Sequence, residues 1–495
     1  MSVTAQALVN HLERPAGHRH TPDGAHTGAA GGAACGDLIR LSIALDPDDG
    51  HGRISDAGFD ASGCGATVAA GSAAVSLVRG AALLDAARVG AEAIALELGG
   101  LSAAKRHAAE LAADALHRAL GAAAREGAQL TPTAGRTLVA MSGGVDSAVA
   151  ALLVGQDPPF GRTGGAPAVG VTLELWSDPE NDGDLSCCSA QAVRGARALA
   201  HRLGMPHLSI DLRAEFRAGV VDGWLSDHAR GLTPNPCVRC NGNVRLDAML
   251  DLAERLGAAT LATGHYARVA EGPHAGATPL LRTAADERKD QSYVLCALAP
   301  QSLARLRFPL GELRKPQVRA LAERAGLPVA RRRDSQDLCF LAGTRHGDFL
   351  ERHAGLSRRP GPIVDEGGAA LGTHDGAHSY TVGQRRGLGV SAPQPLYVLA
   401  TDARANTVTV GPRRALLADT VRVEGATLRR DGGCVDGLRV RAHGRLHACR
   451  LPDAPAAGGH ASLEVVLEEP AERTAPGQVA CLYSDDVVVG YGTIA

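Results

Sequence analysis

Between Thr137 and Val154 the chain reads TLVAMSGGVDSAVAALLV, and this stretch limits the possible folds more than any other. A short apolar run bounded by glycine is expected to be a buried strand, and the apolar-rich VDSAVAALLV behind it a helix. Adjacent glycines between a strand and a helix let backbone N–H groups turn toward an anion, and the helix adds its positive end. In Ser142-Gly143-Gly144-Val145-Asp146-Ser147, the two serines offer hydroxyl donors to phosphate oxygens and Asp146 is an expected Mg²⁺ ligand. No lysine follows the glycines, which excludes a G-x-x-x-x-G-K-[ST] loop. A plain glycine turn is the alternative.

The surrounding pattern agrees with a parallel sheet. AVGVTLELW, HLSIDL and TLATGHYARV read as strands, and AQAVRGARALAHRLG and VRLDAMLDLAERLG as helices between them. Such alternation implies a doubly wound α/β sheet. Upstream, CGDLIRLSIALD and GRISDAGFDASG contain strand-like runs, and Ser102–Ala123 is helical, which makes an α+β unit closed by the Ala/Gly-rich stretch 121–136. Downstream of about residue 346, glycine, proline and β-branched residues dominate, and after about residue 416 short strands suggest a small β-barrel. The expected domains are 1–130, 131–345, 346–415 and 416–495.

Composition bounds the partners. A hydrophobic content of 45% with 21% charged residues is that of an ordinary soluble protein. No run approaches the ~20 apolar residues that span a bilayer, so no membrane partner is expected. The opening MSVTAQALVNHLERPAGHRH lacks an apolar core with basic flanks, so a cytoplasmic location is expected. Net charge is −2, yet residues 301–360 hold 13 Lys+Arg against 6 Asp+Glu, a local excess of +7 that suits phosphate backbone or a plain solvated surface.

Eleven cysteines in such a chain are expected to be ligands, sulfur carriers or buried apolar groups rather than disulfides. Cys237-Val238-Arg239-Cys240 is the only C-x-x-C. It follows Thr233-Pro234-Asn235-Pro236, and the prolines predict a loop. Cys339, in Asp334-Ser335-Gln336-Asp337-Leu338-Cys339, comes after three arginines, a setting that favours a nucleophilic thiolate. Half of a structural zinc site is the alternative for the C-x-x-C. Cys187, Cys188, Cys296, Cys434, Cys449 and Cys481 are expected to be buried and inert.

The string Ser142–Ser147 resembles the signature of the PP-loop ATP pyrophosphatases, which adenylate a substrate oxygen. From about Thr137 to the end, the chain resembles the tRNA-specific 2-thiouridylase (MnmA) family. The matches run in order: AMSGGVDS, TPNPCVRCN, GHYA, KDQSYVL, DSQDLCF, SYTVGQRRGLG and APGQ. The resemblance implies ATP contacts at Ala140, Met141, Ser142, Gly143, Gly144, Val145, Asp146, Ser147, Leu173 and Gly264. It implies tRNA contacts at Asn235, Pro236, Cys237, His265, Lys289, Asp290, Gln291, Arg441 and Gln478. Lys289 is one of only three lysines in an arginine-dominated chain, which points to a need for an ammonium there.

The implied reaction adenylates O2 of the wobble uridine (U34) in tRNAs for Lys, Glu and Gln. The persulfide sulfur of Cys339 then attacks C2, and Cys240 resolves the Cys339 disulfane sulfur. A cysteine desulfurase or another donor supplies the sulfur. Many relatives carry aspartate at the place of Cys237. Here Cys237, Cys240 and Cys339 form a possible three-thiolate set for a [4Fe–4S] cluster.

Residues 1–125 resemble the NifU/IscU iron–sulfur scaffold domain through ALVNHLERP, Cys35-Gly36-Asp37, FDASGCGATVAAGSA and KRHAAELAADAL. The implied ligands are Cys35, Cys64 and His107, with Asp37 keeping a cluster labile. The third scaffold cysteine is missing, because Ala108 stands after His107. The four remaining donors suit zinc or a cluster, or the unit serves only to dock a desulfurase. His11, His18, His20 and His26 are expected in solvated loop. Two other readings stay open: a scaffold or carrier with an accessory PP-loop domain, and a PP-loop ligase without sulfur chemistry.

Overall fold

The computed structural model describes the chain except residues 1–2, 33–35, 156–166, 179–188, 271–277, 333, 335–337 and 342. Cys35, Cys187 and Cys188 therefore lie outside the described residues.

The N-terminal unit opens with α1 (Val3–Glu13) and an antiparallel sheet of β1 (His26–Gly31), β2 (Leu38–Leu45) and β3 (Ile54–Ser62). Period-2 alternation in β2 turns Ile39, Leu41 and Ile43 fully inward. Helices α2 (Gly65–Val78) and α5 (Arg106–Glu126) cover the sheet, with α3 (Leu83–Ala86) and α4 (Ala91–Glu97) packed on them.

Helix α5 is buried on two sides, against β1 and β2 on one and against the next domain on the other. A Cβ on Gly28 of β1 would sit 2.2 Å from the Ala115 carbonyl oxygen. A Cβ on Gly121 would sit 1.9 Å from that of Ser209. Only glycine permits either approach. The alanine-rich face of α5 thus clamps two domains together.

The second domain is a five-stranded parallel sheet in the order β10-β7-β4-β5-β6. Its strands are β4 (Thr137–Ala140), β5 (Ala168–Glu174), β6 (His207–Asp211), β7 (Thr260–Ala262) and the short β10 (Leu306–Arg307). The chain builds β4, β5 and β6 outward, then returns to place β7 on the other side of β4. That reversal creates a topological switch point between β4 and β7, where open α/β sheets bind ligands. Helices α6 (Val145–Gly155) and α7 (Ala190–Arg202) follow β4 and β5. After β6 come α8 (Arg213–Phe216), α9 (Asp222–Ala229), α10 (Pro236–Arg239) and α11 (Leu246–Arg255), with π-turns at Arg217–Val221 and Cys240–Arg245.

The hairpin β8 (Arg268–Ala270) and β9 (Leu280–Arg282) leaves this sheet and pairs with the C-terminal barrel. Four helices follow: α12 (Ser292–Leu295), α13 (Pro300–Arg305), α14 (Lys315–Arg324) and α15 (His346–Ala354). A four-stranded sheet, β12-β11-β14-β13, is built from β11 (Gly361–Val364), β12 (Ala370–His374), β13 (Leu396–Asp402) and β14 (Thr407–Pro412). The barrel consists of β15 (Leu417–Leu428), β16 (Gly437–Arg439), β17 (His447–Arg450), β18 (Gly458–Glu472), β19 (Val479–Ser484) and β20 (Val487–Ile494). It is closed by pairing of β15 with β20. Among the described residues, no helix is long and apolar enough to cross a membrane.

Three sequence expectations change. TPNPCVRCN is not all loop, because Pro236 opens α10 at its first position, where a missing N–H costs nothing. TLATGHYARV is two strands in different sheets, since residues 263–267 leave β7 as a loop before β8 begins. The histidine-bearing lead-in is solvated loop only at His20, which is exposed. His11 lies on α1 and bonds Ser72 at 2.8 Å, His18 stacks on Phe59 at 5.1 Å, and His26 begins β1.

Candidate functional site

The phosphate loop lies at the C-terminal end of β4, at the switch point. Gly143 has a φ of +72°, which turns the loop and favours glycine. The Ser142 N–H donates to Ser147 Oγ at 3.1 Å, and Ser147 Oγ donates to the Gly144 carbonyl at 3.1 Å. Gly264, in the loop after β7, presses on the first turn of α6. A Cβ there would fall 2.7 Å from Ser147 N. Leu173 is buried near the end of β5. Every residue of the expected ATP set therefore lies on β4, on β5, on the first turn of α6 or in the loops after β4 and β7.

A charged network stands beside the loop. Asp146 accepts from Tyr266 Oη at 2.8 Å and from Lys315 Nζ at 2.8 Å on both carboxylate oxygens. The same ammonium lies 2.9 Å from Asp334 Oδ1. Lys289 Nζ and Arg319 bond Asp334 at 2.6 and 2.9 Å. Burial pushes the Asp334 carboxyl up, but the two lysines outweigh it and hold it below its ordinary value. Arg332 donates to the Gly143 carbonyl at 3.1 Å. Lys315, Arg319 and Arg332 lie outside the matched motifs, and Tyr266 lies inside GHYA without being singled out there. The scarcity of lysine that marks Lys289 marks Lys315 equally.

Both cysteine segments hang from α9. The Asn235 side chain caps α10 by accepting the Cys237 N–H at 3.0 Å. Arg239 on α10 packs so closely on Gly223 that a Cβ there would meet its guanidinium at 2.0 Å. Cys240 is buried just beyond, at the start of the π-turn. On the other side, Phe340 inserts among Trp224 of α9, Phe216 and Phe349, with ring centroids 5.1, 6.1 and 5.3 Å away. Its neighbour Cys339 is half-buried. Burial pushes the Cys237 thiol up, against a smaller lowering by Arg245.

The expected tRNA residues divide into a hub and a rim. Asp290 is buried, accepting from Ser292 Oγ at 2.7 Å and from Arg439 of β16 at 2.5 Å. Gln291 accepts the Tyr266 N–H at 2.9 Å. His265 bonds Thr263 at 2.9 Å, and burial holds its imidazole down to about 3, so it is neutral near pH 7. Gln478 donates to the Thr233 carbonyl at 2.5 Å and ties the barrel to the cysteine loop. Arg441 is exposed and faces the Gly383 loop.

The N-terminal unit holds a second site. Asp37 Oδ1 accepts the Cys64 N–H at 2.9 Å, and Oδ2 lies 2.9 Å from His107 Nε2 and 3.7 Å from Cys64 Sγ. The hydrogen bond from His107, then that from Cys64, lowers the Asp37 carboxyl, while Asp37 raises the His107 imidazole. Among the described residues this is the one trio of such donors within 4.8 Å. Cys237, Cys240 and Cys339 do not make another. Ala108 is fully buried behind His107.

This unit is joined firmly to the phosphate-loop domain. Arg194 of α7 bonds Asp114 and Glu110 of α5 at 2.7 and 3.1 Å, and Arg197 bonds Asp114 at 2.6 Å. Arg118 forks onto Glu174, the last residue of β5, at 3.2 and 3.1 Å.

Fold and site together define a PP-loop enzyme with two thiol-bearing segments in the same domain, preceded by a domain with a metal-type donor set. Comparisons with known proteins agree. The family described as "tRNA methyl transferase HUP domain" matches residues 135–343, and "NifU-like N terminal domain" matches residues 5–127. "tRNA methyl transferase PRC-barrel domain" and "Aminomethyltransferase beta-barrel domain" match residues 347–412 and 434–494. A "Bifunctional protein NifU/MnmA" of Rubrobacter xylanophilus is 43% identical over 503 residues, covering 99% of this chain and 98% of its own length. A "tRNA-specific 2-thiouridylase MnmA" of Thermobifida fusca is 43% identical over 370 residues, 73% of this chain and 95% of its own. That of Geobacter metallireducens is 40% identical over 371 residues, 72% and 96%. The chain belongs to the tRNA-specific 2-thiouridylase (MnmA) family, in the bifunctional form with a NifU-like N-terminal domain.

Proposed function

We propose that the chain is an ATP-dependent sulfurtransferase that converts U34 of tRNA to 2-thiouridine, with Cys339 as sulfur carrier and Cys240 as resolving thiol. The observation that carries this reading is the shared anchor. Helix α9 holds both cysteine segments in the domain whose switch point carries the phosphate loop.

Residues 140–147, Leu173 and Gly264 bind ATP, and Asp146 is the residue to hold Mg²⁺, which would offset phosphate charge. Uridine O2 attacks the α-phosphorus, the bond to the bridging oxygen breaks, and pyrophosphate leaves with the electron pair. The uridine N3 proton passes to solvent. The terminal sulfur of the Cys339 persulfide then attacks C2 and expels AMP. The Cys240 thiolate attacks the Cys339 sulfur, leaving the thiocarbonyl on the base and a Cys240–Cys339 disulfide that an external thiol reduces. The base must leave the anticodon stack to reach this site. Asn235–Cys237, His265, Lys289–Gln291, Arg441 and Gln478 form the tRNA-facing set. Within it, buried Asp290 braces its neighbours rather than meeting RNA itself.

Cys237, Cys240 and Cys339 are not a compact donor set, so no step above passes through a cluster. The donors Asp37, Cys64 and His107 do fit an ion such as zinc, and with Cys35 they are the residues to hold zinc or an iron–sulfur cluster. A cluster there would supply a store of iron and sulfide, whereas zinc would only brace the site.

The test is anaerobic incubation of the full chain with tRNA, MgATP, a reducing thiol and a sulfane-sulfur donor (cysteine with a cysteine desulfurase), followed by nucleoside mass spectrometry. One AMP and one pyrophosphate per 2-thiouridine is expected. Thiolation without ATP consumption overturns the reading.

A further inference from the structure

Lys315 has no role in the motifs above, yet its ammonium is the group most tightly bound to the phosphate-loop signature. It opens α14, its side chain is only 11% exposed, and it is chelated by both oxygens of Asp146 and by Asp334. A buried ammonium needs such pairing. The question is why lysine performs it.

Arginine holds two carboxylates better, because its planar fork is matched to them. This chain uses arginine in almost all its other ion pairs, and it has 51 Lys+Arg of which three are lysine. Two of those three, Lys289 and Lys315, converge on Asp334 beside the loop. A compact ammonium with three rotatable donors can exchange carboxylate oxygens for phosphate oxygens, which a locked guanidinium does poorly. Charge agrees. Among the described residues, Lys315, Lys289 and Arg319 pair with Asp146 and Asp334, Arg332 bonds the Gly143 carbonyl beside them, and Asp286 caps the Lys315 and Arg288 N–H groups, so these four cations meet three carboxylates. The surplus is positive, and MgATP carries the complementary negative charge.

We infer that Lys315 is a further catalytic residue of adenylation. Without nucleotide it rests on Asp146 and Asp334. With MgATP bound it moves to the β- and γ-phosphates and donates to the pyrophosphate as the α–β bond breaks. Asp146 is thereby freed for the metal. The step adds no reactant to the adenylation already described, and the inference rests on that reading.

The experiment compares affinities of the full chain for MgATP and for AMP, with Lys315→Met and Lys315→Arg, by equilibrium dialysis. AMP shares the adenosine and α-phosphate but lacks the groups Lys315 would meet. Lys315→Met is expected to weaken MgATP about tenfold or more and to leave AMP within about twofold, the loss of one charge-assisted hydrogen bond. The tRNA-dependent exchange of labelled pyrophosphate into ATP should fall further, with partial return in Lys315→Arg. Equal weakening of ATP and AMP, or none, overturns the inference and leaves Lys315 a structural pair. Wild-type protein that binds ATP but never exchanges pyrophosphate fails the proposed function instead, and the ATP/AMP comparison still judges Lys315.

Discussion

The two cysteine-bearing sites of this chain are built by opposite means. In the N-terminal unit, Cys64 lies with Asp37 and His107 in one tight, hydrogen-bonded trio at the surface. In the phosphate-loop domain, Cys240 and Cys339 sit on separate segments, each pinned by an apolar or close-packed neighbour to α9. A preassembled donor set suits holding an ion, whose ligands must stay put. Thiols on separate supports suit passing a sulfur atom, since the carrier must reach a base and then its resolving partner. Chemistry thus follows the spacing of the cysteines, not their presence.

Each site should fail without the other. Among variants that leave both reacting thiols in place, the largest effect is expected at Gly264. Its Cβ would fall 2.7 Å from Ser147 N, against backbone that has nowhere to go. Gly264→Ala should therefore lower thiolation by about 100-fold, through misplacement of the phosphate loop, and leave bound metal unchanged. Steady-state kinetics with metal analysis checks both halves. Cys64→Ala should do the reverse. It removes one of three described donors, so bound zinc or iron should drop by about tenfold, the cost typical of damaging a ligand shell. Thiolation by persulfide-loaded protein should persist. Equal loss in both readouts for either variant would merge the two sites into one functional unit.

A smaller effect concerns the support of Cys339. His228 meets Trp224 edge-on at 4.4 Å and lies 4.9 Å from His346, and burial, then His346 and His378, push its imidazole down to about 3. Its unfolded value is near 6.5. The unfolded chain therefore holds the extra proton between these limits, and stability is lost as pH falls below about 6.5. The melting temperature should fall by a few degrees from pH 7.5 to pH 5.5, and His228→Leu should flatten that slope. His107 of the trio acts in the opposite sense, because Asp37 raises its imidazole and so favours the folded state toward low pH.

The parts of the molecule written in local sequence were legible. TLVA reads as a strand because all its neighbours in the sheet bury it, and the glycines after it leave no alternative to a turn. Helix α5 was readable from its apolar spacing, but its second buried face was not. Only the structure brings Gly121 against Ser209 and Arg118 against Glu174. Strand β1, HTGAAG, has almost no β-branched residues, and exists because Gly28 admits α5. The helix at Pro236 was hidden because proline marks a loop and a helix start with the same letter. Lys315 was invisible for a different reason. Its partner Asp146 is 169 residues away, so no motif contains both.

The central claim is that sulfur reaches uridine from Cys339 in the phosphate-loop domain, with Cys240 resolving it. The most direct measurement is 2-thiouridine at position 34, by mass spectrometry, after anaerobic incubation of tRNA and MgATP with persulfide-loaded full-length protein. Wild type, Cys64→Ala, Cys237→Ser, Cys240→Ala and Cys339→Ala are compared. The expected result is product from the first three and a loss of about 10³-fold or more in the last two, as for removal of a covalent nucleophile. Product from Cys339→Ala at the wild-type level would contradict it, and loss in Cys237→Ser as deep as in Cys339→Ala would replace the persulfide with a cluster held by three thiolates.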